Sequence, residues 1–244
     1  MVVDYELDQS VARIYLNRPH RLNAVVPELT AALTAALLRA AADSARVVVL
    51  AGRGRAFCSG HDLKEPLEDE TVLVTRRRVD AIQDVTRAIR SFPGPVIAAV
   101  HGYALGAGCE FALGCDLVVA GEDAQFGFPE VSVGLSVTGG ISRLLPLLVG
   151  PMRAKELVLL GERFDAAAAR DLGLVNRVVP AGEHEQVAGE LAARLRELPA
   201  LALTLAKQAL DRGADSALEE AMATETDFAA LTVAPGEDPA LAGR

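Results

Sequence analysis

From residue 95 to residue 120 the chain is apolar almost without a break, yet glycines punctuate the run and one glutamate, Glu110, stands in its middle. His101, Asp116 and the glycines exclude a membrane-spanning helix, which needs about 20 predominantly apolar residues. What remains is a strand, a glycine turn, a helix and a second strand. Pro95-Val-Ile-Ala-Ala-Val100 and Asp116-Leu-Val-Val-Ala120 are short continuous apolar runs, as expected of strands buried on both faces of a parallel sheet. Glu110 falls in the helix between them, among residue types that are most often buried. A carboxylate there must shift its pKa or find a partner. Conflicts of that kind survive mainly at functional sites.

The same pattern extends in both directions. Residues 2–17 alternate loosely as a hairpin arm, and Pro27 opens an alanine- and leucine-rich helix through Ala42. Arg46-Val-Val-Val-Leu-Ala51 reads as another buried strand, followed by a loop and a helix over 69–91. Short strands are expected at 124–127 and 174–180, and helices at 151–161 and 165–172. From Glu183 onward the pattern is helical, with breaks at Pro199 and near Gly213. Strands alternating with helices predict an α/β core with a helical tail. At 244 residues, 51% of them apolar but dispersed, the chain can bury one substantial core.

Charge and cysteine content narrow the function. A net charge of −9 with a pI near 5.0 argues against a broad nucleic-acid surface. Arg76-Arg-Arg78 is therefore read as a solvated helix face. Cys58, Cys109 and Cys115 lie in apolar contexts without zinc-ligand spacing, which predicts reduced core thiols and a cytoplasmic protein. The N-terminus lacks the basic-then-apolar pattern of a signal peptide. No metal is expected. Gly106-Ala-Gly108 lacks the third glycine of a dinucleotide fingerprint and lies mid-chain, so a nicotinamide-dependent dehydrogenase is disfavoured.

Those glycines suit a different task. At a helix start they let a ligand approach the backbone and leave amide N–H groups aimed outward, able to stabilise a developing negative oxygen. Ser59-Gly60-His61-Asp62 has the same design. A second acid, Glu130, ends Gln125-Phe-Gly-Phe-Pro-Glu130, so two carboxylates stand in apolar settings. Plainer readings remain: Glu110 as a structural acid paired with an arginine, and Glu130 as a brace for its loop.

Ala56-Phe-Cys-Ser-Gly-His-Asp-Leu-Lys-Glu65, His101-Gly-Tyr-Ala-Leu-Gly-Ala-Gly-Cys-Glu110 and the Glu130 motif together resemble the enoyl-CoA hydratase/isomerase (crotonase) superfamily. Asn17-Arg-Pro19, Leu22-Asn-Ala24, Gly173-Leu-Val-Asn-Arg-Val178 and Leu205-Ala-Lys-Gln-Ala209 extend the likeness over about residues 10–230. The resemblance implies an α/β fold: a spiral of repeated β-β-α units carrying the active site over 1–183. A helical trimerisation region over 184–232 and a disordered tail over 233–244 would follow. It implies an acyl-CoA thioester substrate, with coenzyme A part of the substrate and no separate cofactor. The assembly would be a homotrimer or a pair of trimers, with no nucleic-acid or membrane partner. His61 and Ala107 align with the two backbone oxyanion donors, and Glu110 and Glu130 with the two glutamates used by hydratases. Arg21 and Lys64 align with coenzyme A contacts. Ala24, Ser59, Gly60, Asp62, Leu63, Gly106, Thr138 and Gly139 fall on substrate-binding segments.

Three departures stand out. Leu135-Ser-Val-Thr-Gly-Gly-Ile-Ser142 replaces a Pro-Gly-Ala-Gly-Gly-Thr loop and is one residue shorter. Ala107 replaces a glycine, and Pro235-Gly-Glu-Asp-Pro-Ala-Leu-Ala-Gly-Arg244 replaces a further helix. The expected activity is hydration of a 2-enoyl-CoA. Its rivals are Δ3,Δ2-enoyl-CoA isomerisation, which needs one glutamate, and a non-catalytic acyl-CoA-binding scaffold.

Overall fold

The computed structural model describes residues 1–64 and 72–215. Strands β1 (Val3–Asp8) and β2 (Val11–Leu16) form an antiparallel hairpin. Both residues of its turn, Gln9 and Ser10, have positive φ, the geometry whose twist matches the flanking strands. Pro27 then starts helix α1 (Pro27–Ala42), which buries Leu29, Leu33, Ala36, Leu37 and Ala40 along one stripe.

Strand β3 (Val47–Gly52), helix α2 (Val72–Ser91), strand β4 (Val96–Val100) and strand β5 (Tyr103–Leu105) lead into helix α3 (Ala107–Gly114). Strands β6 (Leu117–Gly121) and β7 (Gln125–Gly127) follow, then a short 3-10 turn, Pro129–Val133. Helices α4 (Ile141–Val149) and α5 (Pro151–Leu160), strand β8 (Arg163–Asp165), helix α6 (Ala166–Asp171) and strand β9 (Arg177–Val179) complete the core. Helices α7 (His184–Arg196) and α8 (Ala200–Asp215) come last.

The main sheet runs β1-β2-β3-β4-β6-β9, parallel throughout except for the hairpin. Alternation along each strand divides its residues between two buried faces. Ile14, Leu50, Ala98 and Val118 join α1, α2 and α3 in the larger core cluster. Val11, Val49, Ile97 and Val119 pack with Ala188 and Ala192 of α7. That double burial is why the strands read as unbroken apolar runs.

A second layer, β5-β7-β8, is extended by bridges pairing Cys58 with Ala104 and Val25 with His61. Each pass of the chain therefore crosses the main sheet, then the second layer, then enters a helical segment. This is the expected β-β-α spiral. The three cysteines are free and buried, as expected. No helix among the described residues is long and apolar enough to cross a membrane.

Several boundaries differ from the sequence reading. The strand expected at 174–180 shortens to β9, and the helix expected from 69 is described from Val72. Helix α4 forms over residues to which the sequence reading assigned no element, with Pro146 inside it. Gly213 lies inside α8 instead of breaking it. The expected helical region past 215 and the tail over 233–244 lie outside the described residues.

Candidate active site

Two glycine loops meet where the second layer ends. Val25 N–H donates to Gly60 O at 2.8 Å, and Asp62 N–H donates to Val25 O at 3.1 Å. These bonds bracket His61, whose own N–H has no backbone acceptor among the described residues; nor has that of Ala107, at the start of α3. Gly60 has φ +86° and Gly106 φ +53°, conformations that favour glycine. A β-carbon on Gly60 would lie 3.6 Å from Gly106 Cα and 2.7 Å from Leu105 O, so the loops are close neighbours. Unpartnered N–H groups, one of them at a helix N-terminus, suit a developing oxyanion.

A cavity of about 610 Å³ opens beside them. Its wall includes Ser59, Gly60, His61, Asp62, Leu63, Gly106, Ala107, Glu130 and Thr138, all expected as site residues. Arg21, Ala24, Lys64 and Gly139 are not on that wall. Arg21 and Lys64 are exposed, whereas Ala24 is buried and its carbonyl accepts from Arg18 Nη1 at 2.5 Å.

The two glutamates are placed differently. Glu130 sits in the 3-10 turn that Pro129 starts and Gly134, with φ +76°, ends. Its residue is 7% exposed, and its Oε2 has no hydrogen-bond partner among the described residues. Its Oε1 would lie only 3.0 Å from a β-carbon on Gly106. Burial, reinforced by the negative charge of Glu110 and opposed by a backbone hydrogen bond, pushes its pKa up to about 7.

Glu110, fully buried in the first turn of α3, stands behind Thr138 and does not line the cavity. Thr138 donates its N–H to Oε1 at 2.6 Å and its hydroxyl to Oε2 at 2.5 Å. Burial raises the Glu110 pKa, and both Thr138 bonds pull it back. Gly139, at φ +59°, lets the 135–142 loop lie against this acid: a β-carbon there would approach Glu110 Cβ to 2.8 Å. The partner of Glu110 is thus a threonine, where the plainer sequence reading sought an arginine.

Two arginines escaped the sequence reading in different ways. Arg18 pairs with Asp62 at 3.1 Å and so ties the start of the chain to the first glycine loop. Its only sequence signal was the Asn17-Arg-Pro19 motif. Arg78 corrects the expectation of a solvated triplet. Arg76 and Arg77 are exposed, but Arg78 is half-buried on the cavity wall, with Nη1 3.3 Å from His61 Nε2. A charge run does not reveal which of three consecutive helix positions, 100° apart, faces inward.

The β-β-α spiral, with paired glycine loops, Glu130 on the cavity wall and Glu110 buried behind Thr138, has the architecture of a crotonase. Residues 6–235 match the family model described as enoyl-CoA hydratase/isomerase. The chain is 39% identical over 227 residues to 2,3-dehydroadipyl-CoA hydratase of Escherichia coli strain K12, covering 93% of this chain and 88% of that protein. It is 34% identical to crotonyl-CoA hydratase of Syntrophomonas wolfei, covering 94% and 88%. The crystal structure of enoyl-CoA hydratase from Bacillus anthracis superposes with a TM-score of 0.91 at 33% identity, covering 98% of this chain and 93% of that one. The chain belongs to the enoyl-CoA hydratase/isomerase family.

Proposed function

We propose that this enzyme adds water across the C2=C3 bond of a 2-enoyl-CoA thioester. The observation that carries the reading is the Glu130 carboxyl, without a partner at one oxygen among the described residues and buried in the same cavity wall as the His61 and Ala107 loops. The thioester oxygen accepts from the two N–H groups, each contributing roughly 3 kcal/mol to the stabilisation of the enolate-like transition state. The oxygen of water bonds to C3, its proton passes to Glu110, and the C2=C3 electron pair moves into the thioester. Glu130, with a pKa of about 7, supplies the proton that ends on C2. The hydroxyl of water stays on C3, and passage of the proton held by Glu110 to the ionised Glu130 restores both acids, so that the substrate gains one water in net.

Access to Glu110 requires the Thr138 hydroxyl to turn away from Oε2, while the Thr138 N–H continues to favour the ionised form at Oε1. The two acids titrate as a coupled pair. Isomerisation needs only one of them, so the second buried acid favours hydration.

Crotonyl and dehydroadipyl thioesters, named for two of the relatives, are the first substrates to assay. Hydration by Glu110→Gln and Glu130→Gln should fall about 10²–10⁴-fold. Near-wild-type turnover in either variant overturns the two-carboxylate mechanism, and faster conversion of 3-enoyl than 2-enoyl thioesters favours isomerisation.

Self-association into trimers or pairs of trimers belongs to the same reading. It is supported by exposed Leu147 and Leu148 of α4 and Met152, Leu159 and Leu160 of α5. Light scattering after size exclusion should give a multiple of three times the 25.6 kDa chain; a monomer mass contradicts it.

A further inference from the structure

Glu110 is assigned the proton of the attacking water, yet it does not reach the space in which that water stands. Thr138 lines the cavity and Glu110 does not. The Thr138 hydroxyl donates to Glu110 Oε2 at 2.5 Å, the length of a charge-assisted O–H···O⁻ bond, and its N–H donates to Oε1 at 2.6 Å. Both oxygens of a fully buried carboxylate are thus engaged by one residue of the cavity wall.

That residue is held in position. Ile141 N–H donates to the Thr138 carbonyl at 3.0 Å, and Gly139, at φ +59°, lets the next peptide lie against Glu110. Water touches Oε2 itself only when the hydroxyl has turned away, which strips the buried carboxylate of one of its two donors. The loss falls on the charged form, the form a base requires. With the hydroxyl in place there is a second route. A hydroxyl donates one proton but also carries two acceptor lone pairs. No described residue donates to Thr138 Oγ1, so its acceptor capacity is open to a water in the cavity.

We propose that the proton of the attacking water reaches Glu110 through the Thr138 hydroxyl. Water donates to Oγ1 while Oγ1 donates to Oε2. As the water oxygen bonds to C3, its O–H bond breaks and that proton moves to Oγ1. In the same event the original Oγ1–H bond breaks and its proton moves to Oε2. The hydroxyl ends with one proton, as it began, and Glu110 ends neutral with Oε1 still accepting from the Thr138 N–H. The transfers are concerted, because an alkoxide beside a carboxylate would place two negative charges together. This rests on the thioester-hydratase reading above and adds to it the group that carries the proton.

Single-turnover hydration by the full-length protein isolates the chemical step, with crotonyl-CoA or dehydroadipyl-CoA, whichever wild type converts faster. Thr138→Val keeps the shape of the side chain without its hydroxyl, and the rate should fall about 10²-fold or more. Thr138→Ser keeps the hydroxyl and should stay within about tenfold of wild type. Thr138→Ala leaves room for a water in place of the hydroxyl and should lie between the two. Rates in mixtures of light and heavy water supply a readout that loss of a structural contact would not move. The fall in rate with deuterium content should be bowed in wild type and closer to linear in Thr138→Val, which has one proton fewer in flight. Titration with the saturated thioester of the same length needs no chemistry and should give one affinity for all four proteins. If Thr138→Val fails to bind, the Ser and Ala variants carry the same comparison. Val and Ala variants as fast as wild type, or faster, make the hydroxyl an obstacle that water displaces and overturn the proposal. A slowed Val variant that keeps the wild-type isotope response also overturns it, since Thr138 then acts on Glu110 by its bond alone. Wild-type protein that binds the saturated thioester but hydrates neither substrate overturns the hydratase reading itself, and the relay with it.

Discussion

At the scale of single residues, the site depends on how unequally one fold treats two glutamates. Glu130 has an oxygen without a partner among the described residues and a pKa near 7, whereas Glu110 is held by two donors from Thr138. The Glu130 shift carries a cost in stability whose sign is fixed. The folded protein retains a proton that the unfolded chain releases, so the contribution of this group to stability falls as pH rises from about 4.5 to about 7. Glu130→Gln should therefore stabilise the protein by about 1–3 kcal/mol at pH 8 and hardly at all at pH 4.5. Urea unfolding at both values checks this, and an equal gain at both rules it out. The residual activity of wild-type enzyme should decline on the alkaline side with a midpoint near 7, as the Glu130 proton is lost. Thr138→Val removes one of the donors that lower the Glu110 pKa. The acidic limb of the kcat/KM profile should move to higher pH; an unmoved limb would separate that limb from Glu110.

At the scale of elements, glycines decide where strand, loop and helix meet. Gly106 precedes α3 with φ +53° and ψ −127°, and a side chain there would also crowd Glu130 Oε1. Gly106→Ala should lower kcat by about tenfold or more and cost about 1–3 kcal/mol of stability. Gly108 has an ordinary φ, but an added β-carbon would lie 2.2 Å from Cys58 O. Gly108→Ala should therefore damage folding more than Gly106→Ala, as thermal unfolding of the pair would show. Both loops were legible in the sequence because a glycine's φ freedom is a local property. Helix α4 was not, because Gly140 and Pro146 are breakers that its packing on α5 outweighs. The break expected at Gly213 failed for the opposite reason: a single glycine weakens a helix by about 1 kcal/mol without ending it.

Across the whole molecule, the main sheet carries a core on each face and the helices lock its order. Lys207 of α8 is 8% exposed and donates to Ile89 O, Gly94 O and Asp116, with Nζ–Oδ2 at 2.8 Å, joining three separated segments. Lys207→Met should cost about 1–3 kcal/mol, because the Ile89 and Gly94 carbonyls lose a charged donor and the exposed Asp116 its cation; a loss below about 0.5 kcal/mol in chemical unfolding would show that the tie is dispensable. The sequence by itself determined the α/β class, the two-faced burial of the strands, the glycine loops and the two acids. Each of these follows from side-chain periodicity or backbone freedom over a few residues. Only the tertiary structure decided that Glu110 lies behind Thr138, that Arg78 faces His61 and that Lys207 finds Asp116. Those partners are 28, 17 and 91 residues apart. Local propensity does not encode such contacts, which exist only once the sheet, its second layer and the covering helices have packed.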